Sequence, residues 1–189
     1  MKTRTYTQGI RAERAAETAE RILEVAERLF SREAFERVTL DAVAREAGVS
    51  IPTVQRRFAS KEGLLAAVVE RGQARVSAQR ANPVPGALDE NLDMLLAHYE
   101  LEARTMWHLL RQEEDCPPLA EVVAQGRALH RRWVEEAFGK GPRERTDALV
   151  AATDLFVWKL LRVDLKRSKS AVRATMRLLV ESVLARDPT

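Results

Sequence analysis

Apolar positions recur about every 3.6 residues along most of the chain, the period of a helix with one buried face. Ile22, Ala26, Leu29 and Phe30 mark the inner face of a first helix over roughly 17–31. Leu40, Val43, Ala44 and Ala47 follow the i, i+3, i+4, i+7 pattern of a compact second helix. Thr39 stands before it as an N-cap and Gly48 after it as a left-handed stop. Ser50 is placed to cap a third helix that tolerates Pro52 in its first turn, where amides have no intrahelical partner. A fourth helix is predicted over 61–79, with Leu64, Leu65, Val68 and Val69 inward.

The segment "NPVPG" at 82–86 interrupts the pattern and is the expected hinge. Beyond it come Leu88, Leu92, Leu95, Leu96 and Tyr99, then an apolar patch around Trp107, Leu109 and Leu110. "CPP" at 116–118 is a further break, followed by helices predicted over 119–138, 143–166 and 169–186. No strand pattern and no internal repeat emerges, so the expected fold class is all-α with about nine helices.

Composition narrows the class. Apolar residues make up 46% of the 189 positions, enough for a packed core. No apolar run reaches the length of a membrane span, the N-terminal stretch lacks the apolar segment of a secretory signal, and the single cysteine, Cys116, has no internal partner. A cytoplasmic protein is expected. The net charge of +3 is unevenly spread: residues 1–61 hold 12 Lys/Arg against 9 Asp/Glu, and the remainder is balanced at 19 each. That excess suits a polyanion partner for the N-terminal third.

The excess has a local focus. Between Glu46 and Glu62 there is no acidic residue, yet Arg56, Arg57 and Lys61 fall in this window. Helix two, the Gly48-Val49 turn and helix three together form a helix-turn-helix. At about 100° per residue, Ile51, Val54 and Phe58 lie within about 60° of one another and can pack inward. Pro52, Thr53, Arg56 and Arg57 spread over the other side, where a DNA major groove would admit the helix. An arginine there can bridge guanine O6 and N7, Thr53 can meet a base edge, and Gln55 can reach adenine or a phosphate. Lys61 and Thr39, with the first amides of helix two, are placed as phosphate partners. Charged, solvated helix faces are also common in bundles that bind no DNA.

The block "RILEVAERLFSREAFERVTLDAVAREAGVSIPTVQRRFASKEGLL", Arg21 to Leu65, resembles the N-terminal domain of the tetracycline-repressor (TetR) family of transcriptional regulators. The resemblance rests on "A..LF", "T..AVA..AGVS" and "F.SKE.LL". It implies a three-helix helix-turn-helix domain over 1–60 and a helical effector-binding and dimerisation domain over 61–189. The DNA-facing set becomes Thr39, Ser50, Ile51, Pro52, Thr53, Gln55, Arg56, Arg57 and Lys61. Departures from the family pattern bear on base preference. Ala34 replaces a frequent glycine, Gln55 a common tyrosine, Arg57 a frequent histidine, Ile51 a frequent lysine and Pro52 a frequent glycine. The paired arginines suggest G-containing half-sites. Lys2, Arg4, Arg11 and Arg14 form either a basic arm or a solvated terminus.

In the second part of the chain, the helices at 143–166 and 169–186 carry apolar faces wider than one small neighbour requires. The resemblance implies that they build a homodimer interface, with Leu149, Phe156, Leu160, Met176, Leu179 and Val183 as its candidates. Two recognition helices about one DNA turn apart would then read a palindrome. The resemblance also implies an effector pocket, with Met94, His98, Arg104, Trp107, His108 and Trp133 as candidate contacts. A plain helical core accounts for the same apolar and aromatic residues.

His98, His108, Cys116 and His130 match no compact metal-ligand spacing, and no nucleophile elbow, phosphate loop or dinucleotide fingerprint occurs. The expectation is a ligand-responsive, sequence-specific repressor without cofactor, metal or catalytic site. The alternatives are a non-sequence-specific architectural DNA binder and a helical partner-binding module.

Overall fold

A glycine in the left-handed region organises the first part of the molecule. A computed structural model describes residues 3–79 and 83–186, with side chains described over 12–76 and 83–186. Helix α2 spans Leu40–Ala47, and Thr39 caps it by accepting the Ala42 amide at 3.1 Å. Gly48, at φ 65° and ψ 38°, closes it. The Val49 amide donates to the Ala44 carbonyl at 2.9 Å and the Gly48 amide to Arg45 at 3.3 Å, the paired bonds of a Schellman stop. Ser50 then re-enters extended backbone, and α3 runs Ile51–Phe58 with proline in its first turn. These boundaries are set by local caps, so they fall where the sequence places them.

Helix α1 spans Thr3–Phe30, far longer than 17–31. The leader is therefore helical from Thr3; Lys2 and the side chains of Arg4 and Arg11 lie outside the described residues. A short 3-10 turn, Phe35–Arg37, links α1 to α2. Ala34 adopts φ −60° and ψ 141°, so this loop needs no glycine. Helix α4 spans Lys61–Gln79.

The chain forms two compact units, Met1–Gln73 and Ala74–Thr189, and the division falls inside α4. In the first, α1 packs on α2 and α2 on α3. Ile22, Ala26, Val43, Val54 and Leu64 are fully buried at its centre. Arg28 pairs with Glu46 at 2.7 Å, and Arg21 donates to the Ala47 carbonyl at 3.2 Å.

The second unit is a helical bundle of α5 (Leu88–Leu110), α6 (Pro117–Phe138), α7 (Arg143–Ala152), α8 (Leu155–Lys159) and α9 (Lys169–Leu184). Helix α5 packs on α6, α8 and α9, and α7 packs on α6 and α9. Proline opens α6, where a missing amide costs nothing. The expected hinge is firmly held in its described part. Asn91, fully buried, donates to the Val84 carbonyl at 2.8 Å and accepts the Val84 amide at 3.0 Å. The Gly86 amide bonds the Ala137 carbonyl at 3.1 Å. Asn82 lies outside the described residues.

The helix expected over 143–166 is two helices. Thr153 turns its hydroxyl back on the Leu149 carbonyl at 2.7 Å, and Asp154 caps α8 by accepting the Phe156 amide at 2.8 Å. A π-helical stretch, Leu160–Asp164, continues α8. Among the described residues the regular elements are all helical. No helix is long and apolar enough to cross a membrane.

Candidate nucleic-acid interface

The sequence of α3 separates its faces within eight residues. Val54 is fully buried and Phe58 half-buried; Ile51, Pro52, Gln55, Arg56 and Arg57 are exposed. At about 100° per residue, Ile51, Gln55, Pro52 and Arg56 share one arc of about 140°. Arg57 stands about 60° from Val54 and about 100° beyond the Arg56 end of that arc. The inward placement of Ile51 is corrected: it keeps 36% of its surface open, because Val54 alone reaches the centre of the unit. Thr53 is half-buried, and its hydroxyl bonds that of Ser50 at 2.9 Å. Ser50 is thus the N-cap by position but makes no capping bond with its side chain.

No ion pair engages Arg56 or Arg57 among the described residues. With no carboxylate from Val49 to Lys61, α3 presents two cations, Arg56 and Arg57, that its own segment does not neutralise. Thr39 is exposed at the start of α2, its hydroxyl accepting the Ala42 amide.

Lys61 is differently employed. Its ammonium donates to the Phe35 carbonyl at 2.9 Å and the Glu36 carbonyl at 3.4 Å, and lies 4.2 Å from the Phe35 ring centroid. These bonds strap the 3-10 turn to the first turn of α4. Sequence spacing cannot reveal this strap, because its partners are backbone carbonyls 25 and 26 residues away.

Two further features escaped the sequence reading. Ala59 sits at φ 60° and ψ −56°, and the Ser60 amide reaches back to the Phe58 carbonyl at 2.7 Å, forming a tight γ-turn. Gly63 lies against the outcome of that turn: a Cβ there would collide with the Phe58 carbonyl oxygen. Ser60 accepts the Gly63 amide at 3.1 Å. Its hydroxyl also helps the helix N-terminus hold the Glu62 carboxyl below its ordinary range, the backbone amide being the larger cause.

In the second unit the candidate contacts scatter. His98 and Trp133 are core residues, at 3% and 5% exposure. Met94, Trp107 and His108 are half-buried and Arg104 is exposed. A buried polar cluster joins α5, α6 and the end of α7. Tyr99 donates to the Thr153 carbonyl at 2.9 Å, and His130 Nε2 lies 3.1 Å from Thr153 Oγ1. Since that hydroxyl donates to Leu149, Nε2 is the donor. An open cleft of about 540 Å³ lies elsewhere, lined by Leu96, Leu101, Trp158 and Val172 with charged residues at its rim, and by none of the six candidates. No group of three or more His, Cys, Asp or Glu among the described residues is placed to hold a metal ion.

The candidate dimer residues also divide. Leu149 and Met176 are fully buried in their own unit and are removed from the partner surface. Helices α7 and α9 need wide apolar faces because each meets more than one neighbour. Phe156, Leu160 and Leu179 are 52%, 50% and 40% exposed, and Val183 is half-buried. Val163 and Leu178 are exposed as well.

Known proteins share parts of this arrangement. Residues 22–68 match the family model of the bacterial regulatory proteins, tetR family. No curated protein sequence matches. Among solved structures, Salmonella enterica GusR superposes with a TM-score of 0.72 at 18% identity, covering 89% of this chain and 96% of that one. A tetR-family transcriptional regulator from Streptomyces coelicolor gives 0.66 at 21%, covering 92% and 90%. The multidrug binding protein EbrR, complexed with imidazole, gives 0.62 at 21%, covering 86% and 89%. The chain thus matches the tetR-family model over its N-terminal helix-turn-helix segment, and along most of its length it shares the fold of these solved regulators.

Proposed function

We propose that the protein is a sequence-specific homodimeric repressor, released from a palindromic operator by a small-molecule effector. The observation that carries the reading is the free cationic face of α3, from which Arg56 addresses a guanine edge while Arg57 and the start of α2 at Thr39 meet phosphates. Thr53 and Gln55 complete the contact surface. Lys61 acts through the turn it straps.

A single short helix reads few base pairs, so a second copy is required for useful specificity. The exposure of Phe156, Leu160 and Leu179, with Val183 half-buried on the same helix as Leu179, supports that partner surface. Response to an effector draws support from the EbrR complex with imidazole. In this chain the half-buried Met94, Trp107 and His108, with Arg104 at the surface, are the proposed contacts. His98 and Trp133 contribute from the core behind them. A ligand there changes DNA affinity only if it prefers one arrangement of the dimer energetically.

The test is enrichment of a randomised duplex pool on the purified protein at near-physiological salt. A palindromic motif is the expected result. Retention without a motif would identify an architectural binder held by phosphates alone, and no retention would favour a partner-binding module.

A further inference from the structure

We infer that Ile51 reads the 5-methyl group of a thymine, which makes it a specificity-determining residue of the α3 face. The inference rests on the DNA-binding reading above. Ile51 is the exposed large hydrophobic of the first unit among the described residues; the others of that unit are buried or half-buried. It occupies the first turn of α3, the part of a recognition helix that approaches base edges.

What surrounds Ile51 decides what it can recognise. The first turn of α3 holds no charged side chain. Pro52 is exposed and has no amide hydrogen to offer. The hydroxyls of Ser50 and Thr53 share one hydrogen bond at 2.9 Å, which uses one of their two protons. With no guanidinium, ammonium or amide side chain, this turn offers no bidentate hydrogen bond to a base. Its open surface is apolar, and thymine is the base that places a methyl group in the major groove. One turn further, Gln55 and Arg56 supply the polar half of the same arc. The face thus reads a thymine methyl beside a guanine, the apolar contact coming from the N-terminal end of α3.

Replacing thymine by deoxyuridine removes the methyl and leaves base pairing intact. The experiment takes the motif recovered from the pool, replaces its thymines one at a time, and measures the affinity of the full chain and of Ile51→Ala. One thymine per half-site is expected to cost the native protein about fourfold when its methyl is removed, the worth of one buried methyl group. Ile51→Ala is expected to bind the native operator more weakly and to be indifferent to that same replacement. Because Ile51 keeps 36% of its surface open, the unfolding temperature of Ile51→Ala should fall by no more than a few degrees, and its indifference to the deoxyuridine replacement separates lost contact from lost fold. Indifference of the native protein to every replacement, a motif lacking thymine, or an undiminished penalty in Ile51→Ala would each overturn the inference while leaving the DNA reading intact. A pool without any enriched motif would overturn both.

Discussion

Helices α3 and α9 both present arginines to solvent, and they use them in opposite ways. On α9, Arg173 donates to Asp89 at 2.7 Å and to Asp93 at 2.5 Å, and Arg177 pairs with Asp89 and Glu181. On α3, Arg56 and Arg57 have no carboxylate within their own helix or turn. The first pair ties α9 to α5; the second is left for an outside anion. Net charge would not separate these cases. What separates them is whether the opposite charge is supplied internally, and that becomes visible only when the helices are packed.

The contrast can be broken at several points. Gly63→Ala should have the largest effect, since its Cβ meets a backbone oxygen that already closes the Ala59 turn. We expect a loss of about 3 kcal/mol from the first unit, read by denaturant unfolding, with operator binding lost in parallel. Arg56→Ala should cost about 2 kcal/mol of operator affinity, with relaxed preference at one base pair and an unchanged unfolding temperature. An unaltered base preference would move the guanine contact to another side chain.

Lys61→Met sharpens the comparison from a third side, since its cation is internally engaged although it lies beside α3 in sequence. Loss of a phosphate contact would lower the slope of log affinity against log salt by about 0.9. Loss of the strap should instead weaken binding at every salt concentration with the slope unchanged. That outcome is expected, and a lowered slope would return Lys61 to the phosphate set.

Acid should act on α9 rather than α3. Hydrogen bonds from Arg177 and then Arg173 hold the Asp89 carboxyl below its ordinary range, and Arg162, then Lys169, do the same for Glu100. A depressed carboxylate contributes stability above its unfolded value, about 4, and loses that contribution as pH falls through the folded value. Thermal unfolding should therefore show the second unit weakening below about pH 4. Asp89→Asn should flatten this acid limb, and Arg173→Ala should lower the unfolding temperature by no more than a few degrees without touching operator affinity.

The legibility of the sequence follows the same division. Helices α2 and α3 could be read because their ends are written in adjacent residues, Thr39, Gly48 and Pro52. Ile51 was misplaced because a helical wheel ranks hydrophobic residues by direction, while only Val54 finds a neighbour deep enough to bury it. The break between α7 and α8 had a signal in Thr153-Asp154, a back-bonding hydroxyl followed by a capping carboxylate. It was masked by apolar periodicity that continues across it. Leu149 and Met176 read as a partner surface because a wide apolar face looks the same whether its second neighbour is a helix of the same unit or another chain. The family pattern identified the first unit far better than the second, whose candidate pocket residues the packing sends partly into the core.

One aromatic contact gives the molecule a built-in optical reporter. Trp107 meets Phe156 edge-on at 5.4 Å, with the Lys159 ammonium 4.6 Å from its ring centroid, while Trp133 and Trp158 are 5% and 7% exposed. Two of the three tryptophans are thus nearly closed to solvent, Trp133 in the core and Trp158 at the wall of the open cleft. The third shares a contact with the half-open Phe156, so its emission colour and quenching register what covers that side chain. Dilution of the native protein should shift Trp107 fluorescence at a concentration where the other two indoles stay silent, giving subunit association a spectroscopic signal without any attached dye.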